Sequence, residues 1–152
     1  KGFVGIHSAS DTEYDWPWYQ KLVGRTFNIH PVIQTGVLRK MPNTVFIGLN
    51  HMPQEILWTD EWYEFGPELT KLNYLLTVDE QTYNPTADWG NNKTGSGMGA
   101  FHPISWYHNY DGGRSFYTAL GHTNAVYKSE FLTEHIYGGI YWAATGKGLK
   151  EL

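Results

Sequence analysis

Gly2-Phe3-Val4-Gly5-Ile6 is an apolar, β-prone run without polar alternation, and it stops abruptly at His7-Ser8-Ala9-Ser10-Asp11. Such a run suits a strand covered on both faces, as in parallel sheets. A helix is expected next, from about Asp15 to Val23. Asp15 can cap it, Pro17 is tolerated in its first turn and Gly24 can end it. Strand, tight loop and helix in this order predict an α/β unit. With 152 residues, 41% of them hydrophobic, one core is affordable and a single domain over 1–152 is expected.

Further along, Val32 to Leu38, Thr44 to Leu49 and Leu72 to Val78 read as strands, the first two separated by Met41-Pro42-Asn43. Asn50 to Phe65 reads as a loop with at most a helical turn. From about Asn84 to Gly99 the chain is too poor in apolar side chains to bury itself, which predicts a long surface loop, either a lid or a disordered stretch. Ile104 to Asn109 and Arg114 to Leu120 flank Tyr110-Asp111-Gly112-Gly113 and predict a β-hairpin. From Ser129 to about Ala144 apolar residues recur at helical spacing, with Ser129 as cap and Gly146 as stop. Gly138-Gly139 would let that helix lie close against the sheet.

A formal net charge of −4 leaves no basic excess for neutralising phosphates, so neither nucleic acid nor an anionic membrane is an expected partner. No apolar run approaches the roughly 20 residues of a membrane helix. The absence of cysteine removes disulfides, thiolate metal sites and a cysteine nucleophile. Compartment is left open. The 7 Trp and 11 Tyr suit either a core or contact with the faces of sugar rings.

The histidines carry the strongest chemical signal. Pairing Asn109 with Arg114 sets a register in which His102 faces Gly121 and Phe101 faces His122, so His102 and His122 are expected to be neighbours. His108 lies six residues further along the strand, about 20 Å away at strand rise, in a different region. His7 ends the first strand and His122 ends the strand of Thr118-Ala119-Leu120-Gly121, and open α/β sheets bind ligands at the carboxyl ends of strands. If those two strands run parallel, the imidazoles converge; otherwise each is an ordinary histidine bonded to a nearby carbonyl.

Gly5-Ile6-His7-Ser8-Ala9, Trp18-Tyr19 with Leu22-Val23-Gly24, His30-Pro31, Asp60-Glu61-Trp62-Tyr63, His102-Pro103-Ile104 with Trp106 and His108, and Gly113 through Thr123 follow one another in an order that resembles the trehalose-utilisation (ThuA-like) family. The resemblance covers nearly the whole chain. It implies the class I glutamine amidotransferase-like superfamily: a flavodoxin-like, mainly parallel sheet with helices on both faces, in proteins that handle trehalose and other disaccharides. Family members carry further strands before the one that opens here, so the chain is expected to lack its N-terminal strands. In amidotransferases the strand-to-helix elbow presents a cysteine and a histidine ends the strand corresponding to Phe116–Leu120. By that likeness His7 takes the nucleophile's place and His122 matches the histidine. Without a thiol no glutamyl thioester can form, which excludes a glutaminase.

Paired imidazoles suit proton abstraction beside a carbonyl or acid-assisted bond cleavage. Asp11 and Glu61 are the carboxylates expected near them, and Asp11 can equally cap a loop. Ser8 lacks the Gly-x-Ser-x-Gly elbow and is expected to hydrogen-bond rather than attack. Asp60, Trp16 and Tyr63 join Ser8 as candidates for sugar contacts. No cofactor is required by this chemistry, although His7, His102 and His122 with one carboxylate would make a three-histidine site for a divalent metal such as zinc. No His-x-x-x-His motif supports that alternative, and His30, His51 and His135 have no evident partner. The readings are therefore an enzyme acting on a disaccharide or keto-sugar, a non-catalytic carbohydrate-binding or scaffolding module, or an incomplete unit whose exposed sheet edge pairs in a homo-oligomer.

Overall fold

The computed structural model describes residues 1–149. The chain opens with β1 (Gly2–Ile6), a 3₁₀ turn over His7–Ser10 and helix α1 (Pro17–Val23). Strands β2 (Phe27–Ile29), β3 (Gln34–Lys40), β4 (Glu55–Asp60), β5 (Glu64–Phe65) and β6 (Asn73–Asp79) follow. A short hairpin of β7 (Ala87–Asp88) and β8 (Thr94–Gly95) precedes the long hairpin of β9 (His102–Tyr110) and β10 (Gly113–Thr118), and helix α2 (Glu130–Thr145) comes last.

Six strands form one sheet in the order β1-β10-β9-β6-β3-β4. Only β1 and β10 pair in parallel, with Ile6 opposite Thr118; the other four pairings are antiparallel. The mainly parallel, flavodoxin-like sheet expected from the sequence is thus not what forms. That sheet was implied by the family resemblance, and the apolar run of β1, which pointed the same way, belongs to an edge strand with only Gly5 buried; an apolar run does not report strand direction. The first five residues of β9, His102 to Trp106, are all buried, yet β9 is antiparallel to both neighbours. Its direction is fixed by the turn after it, where Asp111 (φ 49°) and Gly112 (φ 70°) adopt the left-handed pair that folds a two-residue hairpin back on itself. The predicted pairing of Asn109 with Arg114 forms.

Helices do cover both faces, one each. Ser115 Oγ donates to Leu22 O at the end of α1, whereas the next residue, Phe116, meets α2 so closely that a Cβ on Gly139 would lie 2.3 Å from its ring. Successive strand residues point to opposite faces, which puts α1 and α2 on opposite sides. Gly146 ends α2 in the left-handed region as expected. Gly138 approaches the backbone of Gly48 rather than the sheet. Four local expectations change. Residues 44–49 hold a 3₁₀ turn over Ile47–Leu49 instead of a strand, the supposed loop over 50–65 contains β4 and β5, and the loop over 84–99 contains the β7–β8 hairpin. Trp16 and not Asp15 stands at the N-cap of α1.

Alternating directions across the sheet make β1, β10 and β4 run the same way, with their carboxyl ends at one rim. In a flat sheet β1 and β4 would be about 24 Å apart, five strand spacings of ~4.8 Å. Instead, Asp60 at the end of β4 accepts the backbone N–H groups of Gly121 (2.9 Å) and His122 (3.0 Å), just beyond β10. The sheet is therefore curled, and its two ends meet at this rim. Phe65, Trp106 and Tyr117 fill the curl with ring centroids 4.6 to 6.0 Å apart. Among the described residues no helix is long and apolar enough to cross a membrane.

Candidate active site at the closed rim of the sheet

Each chemical group of the rim follows the end of a strand. His7 succeeds β1, Glu61 succeeds β4, and His122 lies four residues past the end of β10. The parallel register that sets Ile6 opposite Thr118 brings His7 beside Ala119, and His7 Nδ1 donates its N–H to Ala119 O at 2.9 Å. That bond fixes the ring tautomer, because a carbonyl can only accept, and leaves Nε2 with a free lone pair. His7 itself is at φ 48°, a left-handed conformation that costs a residue with a Cβ about 1–3 kcal/mol. The Tyr117 hydroxyl, donating to His7 O at 2.7 Å, helps hold the elbow in that shape.

His7 Nε2 faces three groups: the Tyr63 hydroxyl at 2.9 Å, His122 Nδ1 at 3.1 Å and Glu61 Oε2 at 3.3 Å. Glu61 Oε2 is in turn 2.9 Å from His122 Nδ1, and Glu61 Oε1 lies 3.5 Å from His30 Nε2. One nearly buried carboxylate thus sits among three imidazoles. His122 is the open member, with 39% of its side chain exposed against 12% for His7 and 10% for Glu61. Burial first, and then the charge of Glu61, push the Tyr63 hydroxyl above its ordinary pKa, so it stays protonated and donates to His7.

Of the residues singled out in the sequence, His7, His122, Glu61 and Tyr63 come together. His102 does not. Its predicted contact with His122 extrapolated the hairpin register, whereas that register makes its last backbone bond from Ala119 N–H to Ile104 O and Gly121, at φ 120°, then diverts the chain. His102 pairs with Val78 on the β6 side, donates from Nε2 to Tyr63 O (2.8 Å) and meets Glu80 Oε1 at Nδ1 (2.6 Å). It supports the site from behind by holding the backbone of Tyr63. Burial raises the pKa of Glu80, but the His102 hydrogen bond and the N–H groups of Met98 and Gly99 outweigh it and keep the carboxyl below its ordinary value. The three-histidine metal set of His7, His102 and His122 is therefore not assembled; Glu61 stands where His102 was expected.

Asp60 is also placed differently. It is fully buried and accepts four N–H groups, from Trp58 Nε1 and the backbones of Glu61, Gly121 and His122, which leaves it a brace rather than a sugar contact. Asp11 accepts the Tyr14 hydroxyl at 2.6 Å and hydrogen-bonds neither imidazole. Ser8 is exposed, its carbonyl taken by Asp11 N. Trp16 stacks on Trp18 and Tyr19 and touches none of the cluster. His108 lies apart as expected, bonded to Lys21 O. His30 was missed, because nothing local in its sequence announces a contact made with a carboxylate 31 residues away.

The ThuA family model, described as trehalose utilisation, matches residues 1–143. Crystal structures of two ThuA-like proteins share the fold. One, from Parabacteroides merdae ATCC 43184, has a TM-score of 0.72 at 19% identity over 99% of this chain and 63% of its own. The other, from Bacteroides uniformis ATCC 8492, has a TM-score of 0.70 at 20% identity over 93% of this chain and 58% of its own. The chain thus spans less than two thirds of the length of these neighbours. No curated protein matches it. With the family model covering nearly all of the sequence, the chain belongs to the ThuA, or trehalose-utilisation, family.

Proposed function

We propose that this chain carries the reactive centre of a carbohydrate enzyme acting on a disaccharide or a keto-sugar by proton transfer at His7, Glu61 and His122. The observation that supports the reading is Glu61 Oε2 at 2.9 Å from His122 Nδ1. With its Nδ1–H donated to a nearly buried carboxylate, His122 keeps a bare Nε2 on its exposed side. A carboxylate that orients an imidazole and steadies its protonated form is the arrangement that makes histidine an effective general base. A sugar hydroxyl, or the C–H beside a keto group, is the proton donor this base would meet. His7 and the Tyr63 hydroxyl complete the network behind it.

The test is turnover of a panel of disaccharides and their keto forms by the complete protein. Glu61→Gln and His122→Ala should each lower kcat by about 10²- to 10⁴-fold, the usual worth of a positioned acid or base. Unchanged activity in both variants would overturn the reading. A second reading, non-catalytic carbohydrate binding, is favoured by Trp16, which is 49% exposed and stacked on Trp18 and Tyr19. Flat apolar surfaces of this kind suit sugar rings. In that case Trp16→Ala abolishes sugar binding, while His122→Ala leaves it intact.

A further inference from the structure

His7 Nε2, His122 Nδ1 and Glu61 Oε2 form a triangle with edges of 2.9, 3.1 and 3.3 Å. Three lone-pair-bearing atoms at such distances repel unless something positive lies between them. A proton on His122 Nδ1 answers this in the acid–base form described above. The same three atoms also fit a larger cation, and we infer that His7, His122 and Glu61 bind a divalent transition-metal ion.

The geometry supports this in three ways. First, all three atoms can stand at one metal's bonding distance. An ion at about 2.1 Å from each would subtend angles of about 90 to 105° between them, a facial set that leaves the opposite positions open. Two imidazoles and one carboxylate on one face is a donor set that borderline ions such as zinc, iron or cobalt take, whereas magnesium and calcium prefer all-oxygen sites.

Second, the outer partners of the ligands are those a metal site needs. His7 Nδ1 is committed to Ala119 O, so its Nε2 lone pair is the one directed at the centre. Glu61 Oε1 faces His30, which leaves Oε2 for the ion. Asp60 grips the backbone N–H of His122 and fixes the loop that carries the ring. Such second-layer hydrogen bonds orient metal ligands and raise their basicity.

Third, His122 is the exposed member of the set, so water or two neighbouring sugar oxygens could reach an ion held there. The Tyr63 hydroxyl, 2.9 Å from His7 Nε2, would turn from that nitrogen to an oxygen bound on the metal. Proton and metal exclude one another at the centre, so loading is a second state of the same site. The inference goes beyond the sugar reading and stands without it, because the ion can be titrated alone.

The experiment is calorimetric titration of the metal-free chain with zinc(II), repeated with cobalt(II) while recording its visible absorption. One ion per chain is expected, with cobalt bands appearing in step. Glu61→Gln, which preserves shape, and His122→Ala should each weaken binding by about 100-fold or more while circular dichroism stays unchanged. His51→Ala, which removes an exposed histidine beside Glu134, should leave it unaltered. Absence of saturable binding, binding that survives both site variants, or binding lost with His51 would overturn the inference. Failure of the complete protein to turn over any sugar would sink the sugar reading alone.

Discussion

Asp60 and His122, 62 residues apart in the chain, are joined at the rim by a 3.0 Å hydrogen bond from the His122 backbone N–H to Asp60 Oδ1. With its companion bond from Gly121 it links the last strand of the sheet to the loop beyond β10. This contact converts a sheet whose ends would lie far apart into one whose ends share a site.

Asp60→Asn should therefore damage more than local packing. Asparagine cannot present acceptors at both positions, so at least one buried N–H group loses its partner. A loss of about 2–4 kcal/mol in urea-denaturation stability is expected, together with weakened function of the His122 loop. A change below about 0.5 kcal/mol would mean that the brace carries no load.

Much of this site was legible in the sequence because the information was local. The hairpin turn fixed the pairing of Asn109 with Arg114, and strand ends marked by small polar residues located His7 and His122. What escaped was tertiary. Glu55-Ile56-Leu57-Trp58-Thr59-Asp60 forms an edge strand whose first five residues alternate only between exposed and half-buried, too weak a contrast to separate it from a loop. Glu61 was expected beside the imidazoles, but with β4 unseen the curl that brings the sheet's ends together, and His30 to Glu61, could not be anticipated. His102 was misplaced because a register was extended past Gly121, where backbone geometry ends it.

The left-handed elbow at His7 makes a conformational prediction. Both substitutions lose the imidazole bond to Ala119, but glycine adopts φ 48° without a Cβ penalty whereas alanine keeps the strain. His7→Gly should then be more stable than His7→Ala by about 1 kcal/mol, the reverse of the usual order, in thermal or urea denaturation. The usual order would indicate that the elbow relaxes when the ring is removed.

Gly139 reports on the seat of α2. A Cβ there would stand 2.3 Å from the Phe116 ring, which is itself fully buried. Gly139→Ala should destabilise the fold by about 1–3 kcal/mol despite alanine's better helix propensity. Stabilisation would mean that α2 can lift from the sheet without cost.

His135 gives the stability a pH dependence. Fully buried on α2, it pairs Nε2 with Ser105 Oγ, leaves Nδ1 without a partner, and is pushed by burial from 6.5 down to about 3. As pH falls, the unfolded chain takes up this proton near 6.5 while the folded chain refuses it until about 3. The contribution is therefore complete above about pH 6.5 and declines between roughly 6.5 and 3, with a slope of up to ~1.4 kcal/mol per pH unit. Denaturation curves from pH 7 to 4 should show a shallower decline in His135→Gln than in the parent chain. Parallel declines would assign the acid sensitivity to other groups.

The convergence of His7, His122 and Glu61 on one point is tested most directly by the ring ¹⁵N shifts of the histidines, compared between the parent chain and Glu61→Gln. The geometry predicts His7 in the Nδ1–H tautomer, with its Nε2 and His122 Nδ1 both moving when the carboxylate becomes an amide, while His51 and His108 stay still. His7 in the Nε2–H tautomer, or a response confined to one of the two rings, would contradict a shared centre.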